Sequence, residues 1–439
     1  MRFRTLSPAY LIGVALPAIA QQPTPDAVKI ADVTVSGWLR TRGEAWNWFE
    51  AKANNEYAFS ESIFRLSFSE QREKFDWKLE FGVPVLLGIP NNTIAPGAQG
   101  QLGFGGSYFA ANSRSAEAAM IFPKQAYLRL KLAQGAVKQT LQLGRSEFFE
   151  GAEVTPKNGT LAALKRDRIA QRLLGNFGFS DVGRSFDGVT YVAEGSRRNL
   201  TFFGARPTRG VFQVDGWGEV NTNVFYGAFT QQVGQGTNAG EWRVFGLGYS
   251  DYRDGVLKTD NRPQAVRAFD HAHSDIATVG AHYIHSVETS TGTLDFLIWG
   301  VLQGGSWGTL AQRADAFAVE AGWQPPVLRR VKPWFRGGYD YGSGDKNPND
   351  SVHGTFFQVL PTARVYARFP FFNMMNNRDA FGELILRPSE ALTVRTDLHS
   401  LALANKNDLW YSRGRCLSAV DVRLHGPALK RTCESRDTL

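Results

Sequence analysis

The sequence predicts an all-β protein that spans a membrane as an antiparallel, up-and-down β-barrel. Three observations lead there: apolar and polar residues alternate along many segments, short and long connections take turns between those segments, and no segment of the mature chain has the ~20 consecutive apolar residues of a transmembrane helix. The composition agrees, with 45 Gly, 31 Phe, 13 Tyr and 11 Trp in 439 residues and a mean hydropathy of −0.27. Barrel strands average out as mildly polar, and their aromatic residues form girdles at the membrane interfaces.

The N-terminus carries the features of an export signal. Arg2 and Arg4 supply a short positive region, Leu6 to Leu16 is apolar, and Ala18-Ile19-Ala20 has the small-x-small pattern of a cleavage site. This order is typical of a secretory signal peptide, and the apolar stretch is too short to span a bilayer. We therefore expect residues 1–20 to be removed and the mature chain to be exported.

The dominant periodicity of the mature chain is two residues. In residues 75–83, Phe75, Trp77 and Leu79 alternate with Asp76 and Lys78, which gives the strand one apolar and one charged face. The same pattern recurs and predicts fifteen strands, near 33–46, 57–69, 75–83, 125–132, 138–145, 184–194, 198–206, 222–231, 241–251, 274–287, 291–302, 314–324, 331–342, 378–387 and 391–402.

The connections between these strands favour a barrel over a soluble sandwich. Short links, such as 133–137 and 195–197, take turns with long ones, such as 84–123, 146–183, 303–313 and 343–377. Outer-membrane barrels have short periplasmic turns at one end and long extracellular loops at the other. A soluble β-sandwich has no reason to sort its connections in this way.

One segment departs from the strand pattern. Residues 160–174 predict an amphipathic helix with Thr160 as its N-cap and an apolar stripe that includes Leu161 and Leu164. Its basic residues are Lys165, Arg166, Arg168 and Arg172. Two interpretations stay open: a basic helix folded into the lumen to narrow the pore, or a short helix on the surface of an extracellular loop.

The alternation stops near Arg413, so residues 412–439 form an atypical tail. Both cysteines, Cys416 and Cys433, lie in this tail, and residues 413–439 carry six positive and three negative charges. An odd number of strands also leaves an open edge, whose unpaired backbone groups are costly in lipid. We hypothesise that the tail is a frameshifted reading and that one to three closing strands are lost; sequencing the 3′ end of the gene tests this.

The net charge does not indicate a nucleic-acid partner. The formal charge is +8, but Arg2, Arg4 and the tail supply most of it. The barrel region is close to balanced, which leaves at most a weak preference for anions.

Four motifs, taken in order, resemble those of the alginate-export family of outer-membrane barrels. They are Leu143-Gly144-Arg145-Ser146-Glu147-Phe148, Arg184-Ser185-Phe186-Asp187-Gly188, Tyr341-Gly342-Ser343-Gly344-Asp345 and Gly354-Thr355-Phe356-Phe357-Gln358. The resemblance covers residues 33–411. It implies an 18-stranded monomeric barrel in the outer membrane with a lumen that passes a linear polyuronate. For this chain we expect about 16 to 18 strands, and periplasmic secretion partners are a further expectation. Family membership bears less on the substrate than on the fold.

The face opposite the apolar positions is the predicted lumen. Its candidate pore-lining cations are Arg40, Arg42, Arg65, Lys78, Arg129, Lys131, Arg336, Arg387 and Arg395. The same face carries Glu44, Glu61, Asp76, Glu80, Glu320, Asp340, Glu383 and Asp397. Nine cations against eight anions predict a wet, cross-braced lumen, so anion selectivity would need a constriction lined by a subset of the cations, with Lys165, Arg166, Arg168 and Arg172 as candidates.

Other classes of function have weaker support in the sequence. Asp270, His271 and His273 could form a metal or proton-transfer site, and the Asp340–Asp350 stretch carries oxygen ligands, but its spacing is not that of an EF-hand loop. No G-x-S-x-G, H-E-x-x-H or C-x-x-C motif accompanies them. We expect a channel for an anionic, alginate-like polysaccharide, without cofactor or catalytic residues; a general small-solute porin and a barrel hydrolase remain the alternatives.

Overall fold

The fold is that of the predicted barrel, an antiparallel meander of strands in one sheet. The computed structural model describes residues 28–47, 49–51, 56–93, 103–254, 256–328, 330–362, 372–412, 415–416 and 422–424. The predicted signal peptide lies outside the described residues, as does most of the tail. Among the described residues, no helix is both long and apolar enough to cross a membrane.

All fifteen predicted strands are present, with boundaries shifted by a few residues. They are β2 (Val33–Asn47), β4 (Glu56–Gln71), β5 (Phe75–Leu87), β7 (Phe122–Gln134), β8 (Lys138–Ser146), β9 (Phe186–Glu194), β10 (Arg198–Pro207), β11 (Thr222–Gln235), β12 (Asn238–Asp251), β13 (Ser274–Thr289), β14 (Gly292–Trp307), β15 (Leu310–Gln324), β16 (Trp334–Gly342), β18 (Asn377–Leu386) and β19 (Val394–Leu403). Short strands add to them: β1 (Val28–Ile30), β3 (Phe49–Ala51), β6 (Ala118–Ala119), β17 (Val352–His353), β20 (Tyr411–Ser412), β21 (Arg415–Cys416) and β22 (Val422–Leu424). The helices are α1 (Gly103–Ala111), α2 (Gly159–Leu164), a π-helix (Lys165–Ile169) and α3 (Gln264–Ala268).

Each long strand pairs antiparallel with the long strands beside it in the chain order, and the described residues form a sheet of 18 strands, the short β1, β6 and β17 included. The turns after β7, β9, β11 and β13 are short and lie at one end of the barrel, which we call the short-turn end. The opposite, long-loop end carries the loops after β5, β8, β12 and β16. One predicted long connection, 303–313, is wrong: β14 and β15 continue to Trp307 and Leu310 and are joined by Gly308 and Thr309 alone.

The sheet is curved around a central segment. Residues 147–185, which connect β8 to β9 and which we call the plug, contact strands at both ends of the pairing order. Arg42 of β2 lies 3.4 Å from Asp181, and Arg395 of β19 lies 2.9 Å from Asp167. A flat sheet could not bring both edge regions to one segment, so the strands wrap around the plug.

Candidate functional site: the plugged lumen

The plug crosses the barrel along its height and returns. It leaves β8 at the long-loop end and reaches the short-turn end, where Asn158 Nδ2 donates to the carbonyl oxygen of Gly236 in the β11–β12 turn, at 2.9 Å. Beside it, Gln324 is the last residue of β15, and its Nε2 donates to Thr160 Oγ1 at 2.9 Å. The chain then climbs back to β9, so the plug is anchored at the far end from its own attachment points.

The helix in the plug differs from the predicted one. Asn158, not Thr160, is the N-cap, because its side-chain oxygen accepts from the backbone N–H of Leu161 at 3.0 Å. After α2 the chain widens into the π-helix, and Ala170 N–H donates back to the carbonyl of Lys165 at 2.7 Å. Ala170 itself is extended, so the helix ends at Ile169 and does not reach residue 174.

The apolar residues of the plug lie in the interior of the barrel. Leu161, Leu164, Ile169 and Leu173 are all buried and belong to one cluster with inward side chains of the wall, among them Phe186, Phe203, Tyr226, Leu247, Trp299 and Ala318. Of the two sequence interpretations, the helix folded into the lumen is therefore the one observed. The barrel interior on this side is a packed core and not open water.

The basic residues of the plug meet acidic residues of the wall. Lys165 Nζ lies 2.6 Å from Glu241 of β12, and Arg168 Nη2 lies 2.8 Å from Glu320 of β15. Arg172 reaches Glu320 and also Asp340 of β16, at 3.5 and 3.3 Å. All these side chains are almost fully buried. Three of the four predicted constriction cations are thus neutralised.

The fourth, Arg166, differs from the other three. Its side chain is 55% exposed and pairs with the adjacent Asp167 at 2.8 Å. Asp167 in turn receives Arg395 from β19.

Several candidate wall cations bind the plug or neighbouring strands. Arg336 lies 3.0 Å from Glu320, and Arg395 lies 3.1 Å from Glu383. Arg40 contacts Asp181 of the plug at 2.5 Å, and Arg42 pairs with Glu61. These cations brace the structure.

The plug entrance is a second ion-pair cluster. Arg65 contacts Glu147 at 2.8 Å and Glu80 at 3.1 Å, and Lys124 Nζ lies 3.7 Å from Glu147. Burial alone would raise the pKa of Glu147, but the charges of Arg65 and Lys124 lower it to about 2. Glu147 is therefore ionised at neutral pH and holds the plug to two strands.

The remaining candidate cations of β5 and β7 have their partners within the wall. Lys78 pairs with Glu80 at 2.8 Å and Lys131 with Asp76 at 2.7 Å. Arg129 donates from Nε and Nη2 to one neutral acceptor, Gln142 Oε1, at 3.0 and 2.7 Å.

Arg387 lies over the Trp334 ring, 5.4 Å from its centroid. Within the described part of the chain, neither Arg129 nor Arg387 has a carboxylate at ion-pair distance.

Sequence reasoning missed several functional side chains. Arg243 of β12 lies 2.5 Å from Glu150 of the plug, and its alternation with Trp242 and Val244 could have placed it on the lumen face. Arg184 was part of a motif but not a candidate. Its Nη1 donates to the carbonyls of Gly175 at 2.8 Å and of Leu360 at 3.1 Å, which ties the plug to the loop after β16.

The residues that suggested an enzyme or a metal site have structural contacts in the loops. Asp270 accepts from Arg262 at 2.8 Å and from the Thr309 hydroxyl at 3.0 Å, which braces a loop. His273 lies 4.0 Å from Asp254. Asp345 accepts from the Asn347 backbone, as in a local turn. The described residues contain no group of three or more His, Cys, Asp or Glu that could hold a metal ion.

Comparison with solved structures gives likenesses in fold. OprB of Pseudomonas putida has a TM-score of 0.44 and 12% identity, covering 84% of this chain and 89% of that one. OccAB1 of Acinetobacter baumannii has a TM-score of 0.44 and 9% identity, with coverages of 87% and 99%. The outer membrane protein OpdK of Pseudomonas aeruginosa has a TM-score of 0.42 and 11% identity, with coverages of 87% and 95%.

Comparison by sequence identifies the family. No curated protein matches the chain. The model of the family described as "Alginate export" matches residues 39–426, which is most of the chain and includes all four motifs of the sequence analysis. The chain belongs to the alginate-export family.

Proposed function

We propose that this protein is an outer-membrane channel that passes an anionic polysaccharide of the alginate type. The observation that carries the proposal is that two inward cations, Arg129 and Arg387, have no carboxylate of the described residues at ion-pair distance, in a barrel of the alginate-export family. A guanidinium whose partners are neutral is available to a carboxylate of a passing chain.

The outer face of the sheet suits a lipid partner. Leu39, Phe202, Ile298 and Phe317 point away from the plug and are exposed on four different strands. Apolar outward positions that alternate with polar inward ones are the pattern of a transmembrane barrel. We include the outer membrane as the location, a monomer as the working unit, and periplasmic secretion partners as a further part of the proposal.

A general porin for small anions is the second candidate. It is favoured by one observation: Lys165, Arg168 and Arg172 are paired with wall carboxylates and do not form a ladder of free cations. A hydrolase is the third, and we assign no catalytic role, because Asp270 is engaged by Arg262 and Thr309.

Electrical recording from a planar lipid bilayer tests the proposal. The full chain is inserted, and single-channel current and the reversal potential in a salt gradient are measured before and after adding an oligouronate. Anion-selective steps that the oligouronate blocks support the polysaccharide channel. Steps indifferent to it favour the general porin, and cation-selective steps contradict both candidates.

A further inference from the structure

In the short-turn half of the barrel, the plug lies against one side, where Asn158 reaches the β11–β12 turn and Thr160 reaches β15. The inward side chains of β10 to β15 on this side, such as Asn199, Thr230, Ser286 and Glu320, are almost completely buried. Asn199, Thr230 and Ser286 lie near the short-turn end, so the packed region extends over most of the barrel height. Solute has no room along this wall.

The opposite wall is different. The inward side chains of β5, β7 and β8 that face the short-turn half are only partly covered: Lys78 is 25% and Lys131 is 22% exposed, and Tyr127, Arg129 and Gln142 are half-buried. They are consecutive across the sheet, because Tyr127 lies opposite Lys78, and Gln142 lies opposite Arg129.

We propose that an anionic solute binds on this wall, in a groove formed by Lys78, Tyr127, Arg129, Lys131, Thr140 and Gln142, while the plug stays seated. The inference rests on the proposed channel function and assigns the place where an anionic, hydroxyl-rich chain binds.

The chemistry of the groove fits such a chain. Arg129 offers a fork of donors whose present acceptor, the Gln142 amide oxygen, is neutral, so a carboxylate replaces it with a stronger, charge-assisted bond. The guanidinium also lies 5.4 Å from the centroid of the Tyr127 ring. Thr140 and Gln142 add groups that can hydrogen-bond to sugar hydroxyls.

Several buried ion pairs and hydrogen bonds hold the plug in place. Its removal would take Lys165 from Glu241, Glu150 from Arg243, and Arg168 and Arg172 from Glu320, and these three wall residues are almost fully buried. It is also hydrogen-bonded at the short-turn end through Asn158 and Thr160. Breaking several buried ion pairs at once is much more costly than displacing one amide from Arg129.

The first test compares two charge-matched double variants in the bilayer assay. R129Q/K131Q removes two cations from the groove, and R197Q/R198Q removes two exposed cations from the same end of the barrel but outside the groove. We expect the oligouronate concentration for half-block to rise about tenfold or more in the first variant and to stay near wild type in the second.

The outcomes separate the groove from the function. Equal weakening in both variants would show a general effect of charge at this end and overturn the groove. Block of the wild type with no effect of R129Q/K131Q would also overturn it and leave the channel intact. A wild type that no oligouronate blocks would overturn the proposed function, and the groove with it.

The second test locks the plug. Thr160→Cys and Gln324→Cys, whose side chains touch at the short-turn end, are joined by a short bis-methanethiosulfonate reagent in a Cys416→Ser/Cys433→Ser background. We expect conductance and polymer block to be unchanged on cross-linking. Loss of current that a reductant restores would show that the plug must move, and the inference would be wrong.

Discussion

Substitution of Glu320 by Gln should loosen the plug, because this carboxylate is the common partner of three guanidiniums. Arg168 Nε donates to it at 2.8 Å, Arg336 Nη2 at 3.0 Å and Arg172 Nη2 at 3.5 Å. Its side chain is fully buried. Removing one partner of a buried ion pair costs about 3–5 kcal/mol, because the other charge stays buried and uncompensated. Asp340 and Asp295 still face the same arginines, so we expect the lower end of that range.

The free energy of unfolding is measurable in detergent micelles by urea titration, with the gel mobility of the folded barrel as the readout. Glu194→Gln is the matched control: Glu194 is exposed at the end of β9, and its substitution should change stability by less than about 0.5 kcal/mol. Adding Arg336→Gln to E320Q should cost less than the two changes added separately, since the pair is then removed together. If E320Q is as stable as the control, the ion-pair network does not hold the plug and the reasoning fails.

Three further results are expected. Burial alone would raise the pKa of Glu147, but Arg65 and Lys124 lower it to about 2 from the ordinary 4.5. Its contribution, on the order of 3 kcal/mol, is therefore present above the ordinary value and lost as the pH falls through the folded one; unfolding midpoints against pH measure it. Asn158→Ala should cost about 1 kcal/mol of helix stability and speed amide exchange in α2. Gly144→Ala should destabilise the barrel by more than about 1 kcal/mol, because its φ is +115° and a Cβ would lie 2.4 Å from a carbonyl oxygen of β7.

Each of these has a control in the chain. Glu147→Gln should remove the acid-dependent loss below the ordinary carboxyl pKa, and an unchanged pH profile would contradict the assignment. Asn158→Asp keeps a capping oxygen and should retain most of the protection of α2. Gly43→Ala adds a Cβ that meets no atom within 4 Å, so it should be tolerated; equal damage from both glycine changes would contradict the steric argument.

The strands were predictable because successive residues of a barrel strand face lipid and lumen in turn, which gives the sequence a period of two residues. The prediction 303–313 was wrong for a local reason. Gly304, Gly305 and Ser306 look like a loop, but they stay in β14, and Gly305 has a φ of +127°. The helix start was wrong because Asn158 and Thr160 are both good caps, and only the former's side-chain oxygen reaches an unpaired N–H.

The pairing of the lumen charges was not predictable. Sequence alternation could place Arg336 and Glu320 on one face, yet Arg168 meets Glu320 across 152 positions of chain. Such pairs depend on how a long loop folds back, which no periodicity records. For the same reason, the sequence indicated the candidate cations but not their partners. It could not show that Arg172 forms a buried ion pair whereas Arg129 donates to a neutral amide oxygen.

The plug connects two strands that are neighbours in the sheet, β8 and β9, yet its charges meet β2 and β19 near the two ends of the pairing order. This one segment therefore links parts of the sheet that backbone hydrogen bonds join only through all the strands between them. A deletion of residues 147–185 would thus remove the ion pairs that join these distant strands as well as the obstruction.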